Sequence, residues 1–207
     1  MNVHTLIKLL NPIKRFLRET KGAAAIEFLL TVMFLVLVLF FMMDLAITRA
    51  TVAQLDNISY SLVTVLRERT QLYRTADGKG KVEAISESEV KPLKILAKAM
   101  YYGNPNDSRP LYLVIQSLQF KQTSAMKEPV VDMSLSQPLG DTQQCVPTTN
   151  LLNFQNIAPR SEQNDERTIP LYQVTVCVPA YSVFRSLVVG PAYANGTLRS
   201  SSLAVGR

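Results

Sequence analysis

Lys21-Gly22-Ala23-Ala24-Ala25-Ile26-Glu27-Phe28, with the apolar run that follows it to Met43, decides the fold of this chain. From Ala23 to Met43 the only charged residue is Glu27, and a helix of that length spans roughly 31 Å, about one bilayer core. The segment therefore reads as a membrane-spanning helix. A carboxylate inside a span costs about 3 kcal/mol at the bilayer centre and less near its edge, so Glu27 is expected to have a cationic partner.

Outward from the span, the charge is uneven. Lys8, Lys14, Arg15, Arg18 and Lys21 stand against Glu19, so the leader holds +4 of the formal +6 and the remainder only +2. Nucleic acid is not implied as a partner. Basic residues beside a span stay in the cytoplasm, which places the N-terminus inside and the C-terminal part outside. A secretory signal has its small-residue cleavage site after the apolar core, whereas the small residues here precede it, so the span does not read as a removable secretory signal. In the leader, Leu6, Ile7, Leu9, Leu10, Ile13, Phe16 and Leu17 are interrupted by Pro12. That pattern reads either as a short amphipathic helix on the inner membrane surface or as a basic tether.

Past Asp44 the apolar pattern narrows to a stripe, Ala50, Leu55, Ile58, Leu62, Val65, Leu66 and Leu72, at mostly three- and four-residue steps. No glycine or proline interrupts residues 23–74. One helix of roughly 78 Å is expected there, half in the membrane and half standing above it as a stalk. Three segments follow: a leader over 1–22, the transmembrane and stalk helix over 23–74, and an extracytoplasmic α+β head over 75–207.

In the head, Thr75 to Lys81 is a turn-rich break. Ser88-Glu89-Val90-Lys91-Pro92 reads as a capped helix start, with the helix running to about Tyr102 and ending at Gly103-Asn104-Pro105. Strands are expected over Leu111 to Phe120, Val130 to Leu135 and Leu171 to Val178, joined into a small antiparallel sheet. A polar loop is expected from Gly140 to Thr168, and a turn at Asn195-Gly196-Thr197, which also fits a glycosylation sequon. Cys145 and Cys177 are the only cysteines, and both fall on the side that topology makes oxidising. Two thiols allow one intramolecular pairing, so a Cys145–Cys177 disulfide is expected.

Chemistry-bearing patterns are sparse. The only histidine, His4, lies ahead of the span, which leaves no histidine beyond it for acid/base work or metal ligation. Ser88-Glu89-Val90-Lys91 and Ser124-Ala125-Met126-Lys127 match S-x-x-K, but neither has the K-T-G or S-D-N element of the serine enzymes. Glu83, Glu87 and Glu89 lack calcium-loop spacing, as do Glu162, Asp165 and Glu166. No phosphate-cradling glycine motif is present. No enzymatic activity, metal or cofactor is expected.

The junction from Lys21 to Phe28, followed by Leu29-Leu30, resembles the processing site of type IV pilin-like proteins. It is most similar to that of the minor pseudopilins TadE and TadF of the tight-adherence (Flp) pilus system. The likeness is strongest from Gly22 to about Arg74, and the cysteine-bearing C-terminal part points to the TadF branch. The resemblance implies a prepilin peptidase that cuts between Gly22 and Ala23, leaving Glu27 at the fifth mature position. Ala23 stands where type IVa pilins commonly have phenylalanine. It further implies other pseudopilins and an inner-membrane assembly platform as partners, with lipid around the span, and a place in the bacterial inner membrane with a periplasmic head. Glu27 would pair with the ammonium freed at Ala23 of an adjacent subunit, with Phe28 beside it in the assembly motif. Two further readings stay open at this point. One is a minor pseudopilin of a type II secretion system; the other is an uncleaved single-span receptor whose outer domain binds a ligand.

Overall fold

The computed structural model of the chain describes residues 20–72, 85–121, 130–161, 168–182, 184 and 195–206. The chain divides into two compact units, one ending at Ala46 and the other beginning at Ile47. Helix α1, Thr20–Leu72, is 53 residues long and belongs to both. It starts three residues ahead of Ala23, and nothing from Ala23 onward breaks it, because no glycine or proline occurs there. Four of its hydroxyls bond back within the helix. Thr31, Thr51, Ser61 and Thr64 each donate to the carbonyl four residues back, at 2.7–2.9 Å.

In the second unit, the C-terminal half of α1 is followed by helix α2, Glu87–Tyr102, and by strands β1, Tyr112–Leu118, and β2, Leu139–Gly140. A 3-10 helix, Leu151–Ile157, then precedes β3, Leu171–Tyr181, and β4, Asn195–Val205. The sheet order is β2-β1-β3-β4 and every pairing is antiparallel. Register sets Leu113 beside Val176 and Ile115 beside Val174. These side chains, with Tyr172 and Val178, form one face of the sheet, packed against Leu55, Ile58, Leu62, Val63 and Leu66 of α1 and Val90 and Ala97 of α2. The other face holds Val114 with Cys145 and Cys177, and Leu118 and Leu171 with Leu151 of the 3-10 helix. β3 is thus covered on both sides, which is why Leu171 to Val178 is buried without alternation.

The α+β architecture with a long N-terminal helix and an antiparallel sheet is as the sequence predicts, but several elements differ in detail. α2 begins two residues earlier than its Ser88 signal: Ser86 is the N-cap, and the Glu89 carboxylate accepts from the Ser86 N–H at 2.8 Å. It ends where expected, at Gly103 with φ 74°, whose N–H donates to the Ala99 carbonyl at 2.9 Å. Val130 to Leu135 is not a strand. The Asp132 carboxylate accepts from the Ser134 hydroxyl at 2.6 Å and the Ser134 N–H at 3.1 Å, which bends the chain and leaves one bridge, Phe120 to Val131. The polar stretch from Gly140 to Thr168 is not structureless, since it carries the end of β2 and the 3-10 helix, capped by the Asn150 side chain. Asn195-Gly196-Thr197 is not a turn but the start of β4, facing Tyr181, Ala180 and Pro179. Pairing to an eleven-residue β3 outweighs the weak strand propensity of these residues. On α1, Val65 of the predicted stripe faces outward, while Val63 and Ser59 take the buried positions. The expected break at 75–81 lies outside the described residues.

Candidate functional site

From Ala24 to Met43 every side chain is exposed apart from half-buried Val38. Phe28 and Phe34 are 71% and 69% exposed. Among the described residues one stretch, within Ala24–Glu68, is long and apolar enough to cross a membrane, with a mean hydropathy of 2.7 over 18 of its residues. A continuous apolar surface of this extent is not stable in water and calls for hydrocarbon or other apolar helices around it. Glu27 is exposed within it, beside Phe28, and its backbone carbonyl accepts from the Thr31 hydroxyl at 2.8 Å. The backbone at Gly22 and Ala23 lies in the first turns of α1, and Ala23 precedes Glu27 by one helical turn, roughly 6 Å along the axis.

The second unit is locked by covalent and polar ties. Cys145 and Cys177 form a disulfide with a Cα separation of 5.7 Å, and both are buried. It draws the segment after β2 onto the centre of β3. Gln173 donates from Nε2 to the Thr149 carbonyl at 3.2 Å, and Arg199 from Nη1 to the Val146 carbonyl at 3.0 Å, holding the same segment across β3 and β4. A residue the sequence analysis did not single out, Asp141, clamps three elements. Its carboxylate accepts from Lys94 Nζ of α2 at 2.6 Å and from the Leu113 N–H of β1 at 3.0 Å, directly after β2. The Gly140-Asp141 pair was its only signal. Asp107 accepts from the Arg109 guanidinium at 2.8 and 3.0 Å, and these bonds hold its carboxyl down at about 2. Burial pushes the Tyr102 hydroxyl upward, beneath the Arg109 guanidinium stacked 4.1 Å from its ring centre.

Residues considered for catalysis or metal binding are scattered. The Ser88 hydroxyl shares a hydrogen bond of 2.8 Å with Ser86, and Lys91 is exposed on α2. Glu87 and Glu89 serve the first turn of that helix. His4, Glu83, the Ser124–Lys127 motif, Glu162, Asp165 and Glu166 lie outside the described residues. The described residues contain no group of three or more potential metal ligands.

One membrane-length helix continuing into a disulfide-closed α+β unit defines a protein of pilin type suited to a single membrane pass. Residues 15–207 match the family model described as "Putative tight adherence pilin protein F", and the chain belongs to this TadF family. Comparison with curated proteins and with solved structures returns no match.

Proposed function

We propose that this protein is a non-enzymatic minor pseudopilin used to assemble a tight-adherence pilus. It is made as a precursor, cut by a prepilin peptidase between Gly22 and Ala23, and held in the bacterial inner membrane by the apolar half of α1. Its three parts are a leader over 1–22, a spanning and stalk helix over 23–74 and a periplasmic head over 75–207. The observation that carries this reading is the small-residue junction placed directly ahead of the span, in a chain of the tight-adherence pilin family. Cleavage there removes most of the positive charge yet leaves the anchor intact.

Within lipid the Glu27 carboxylate needs a counter-charge, and the ammonium freed at Ala23 of an adjacent subunit supplies one. Pairing one helical turn apart would set the axial stagger between subunits, with Phe28 and its apolar neighbours packing against the next helix or lipid. Other pseudopilins and the membrane platform are the partners of this step.

The cut is tested by mass spectrometry of membrane-extracted protein from cells carrying the peptidase. A mature N-terminus at Ala23 is expected. Gly22 replaced by a bulky residue should leave the heavier precursor, while Ala24→Ser should be processed normally; equal processing of both variants would refute the assigned site.

A further inference from the structure

The two edges of the sheet are built differently. β2 is two residues long and is followed at once by the Asp141 clamp, so it offers almost no template for another strand. β4 is eleven residues long and, among the described residues, pairs with β3 alone. It contains no proline and no bulge against β3, and Arg199 is its single charge, so few of the devices that normally blunt an exposed edge are present. Beside it lies a cleft of about 360 Å³, lined by Asp56 of α1, by Thr149 and Phe154, and by Arg199, Ser201 and Leu203 of β4.

The walls of this cleft are charged in a defined order. Arg199, Ser201 and Leu203 share one face of β4, because side chains alternate along a strand. Ser200 and Ser202 occupy the other face, where both hydroxyls meet Ser59 of α1, at 3.1 and 2.7 Å, and Ser200 also donates to the Asp56 carboxylate. A guanidinium thus marks one side of the edge and a carboxylate the other. Resting on the proposed function, we infer that β4 is a docking edge for an extended segment of a different pilus subunit, not of this chain, added as a fifth strand. Its backbone takes the outward N–H and C=O groups of β4, which have no strand partner among the described residues. An acidic side chain on one face meets Arg199, and a basic side chain on the opposite face meets Asp56. Neighbouring strand residues face opposite ways, so the acid and the base stand an odd number of positions apart. The apolar positions on the Arg199 side lie over Phe154 and Leu203.

The test uses the full-length protein in detergent micelles and two synthetic β-branched peptides of about eight residues. Each carries one glutamate and one lysine, adjacent in the first peptide and two positions apart in the second. Hydrogen exchange of the β4 amides is followed by mass spectrometry. The adjacent-charge peptide is expected to slow exchange across β4 and to bind up to about fivefold more tightly than the other, which can make only one of the two ion pairs, the scale one exposed pair supplies. Arg199→Glu should remove that preference, and a peptide with two adjacent lysines should restore it. Absence of slowing in β4, or equal slowing by both peptides, would overturn the inference. So would slowing confined to Thr148 and Thr149, which would make the cleft a small-ligand pocket. Slowing without peptide that grows with protein concentration would also overturn it, by making the occupant a second copy of this chain.

Discussion

Asp107 and Arg109 fold onto each other across one turn, and the pair has a definite pH signature. The folded carboxyl, at about 2, lies below its ordinary value near 3.9, so the contact contributes stability above that value and loses it as pH falls towards 2. NMR titration of Asp107 should show a midpoint near 2, rising towards the ordinary carboxylate range in Arg109→Ala; an unchanged midpoint in the variant would deny the guanidinium its role. Two glycines differ just as sharply. Gly140 has φ 100°, and a Cβ there would run into the carbonyl oxygen of Leu113, whereas a Cβ on Gly103 at φ 74° meets nothing within 4 Å. Gly103→Ala should cost only the left-handed strain, roughly 1 kcal/mol. Gly140→Ala adds a backbone collision at the β1–β2 pairing and should cost more, about 3 kcal/mol, in urea unfolding. Equal losses would mean that β2 shifts freely.

At the scale of elements, β3 organises the second unit, since it receives helices on one face and the disulfide-held segment on the other. The cysteines are 32 residues apart in sequence. Closing a loop of that length contributes about 3–4 kcal/mol when it is unstrained. Replacing Cys145 and Cys177 together by alanine should therefore lower unfolding stability by about that amount and reduce protein abundance. A double variant that unfolds at the wild-type urea midpoint would show that packing of Val114 and Leu151 alone holds the segment down. α1 is divided in a different way. Its apolar N-terminal half is exposed from Ala24 to Met43 apart from half-buried Val38, whereas Leu55, Ile58, Leu62 and Leu66 in the other half are core residues of a folded unit.

For the whole molecule, anchoring and assembly should be separable at Glu27. Under the proposed function, Glu27→Gln makes the span more apolar, so insertion and cutting after Gly22 should remain normal. Association should fail, because the ammonium at Ala23 of the neighbouring subunit then lacks its counter-charge in lipid, a loss of about 3 kcal/mol or more. Affinity for partner pseudopilins should drop by about a hundredfold or more, the scale such a loss produces, and co-purification should be lost with it. Wild-type recovery of partners together with normal pilus output would reduce Glu27 to a tolerated interfacial charge.

The long helix, its apolar half, the helix from Ser86 to Gly103 and the strands at Leu111 and Leu171 were legible in the chain, because each rests on local pattern: span length, periodicity, caps and β-branched runs. The family was legible for the same reason, since a short contiguous motif carries the resemblance. β4 was not, since Asn195 to Ser202 is rich in small polar residues and becomes a strand only because β3 is there to pair with it. Nor was the burial of Ser59, whose place is set by two serines more than 140 positions away, or the clamp at Asp141, whose partners come from α2 and β1. The docking edge belongs with these. Asp56 and Arg199 line one cleft only because α1 and β4 pack on a common sheet, a contact between distant parts of the chain that no local spacing encodes.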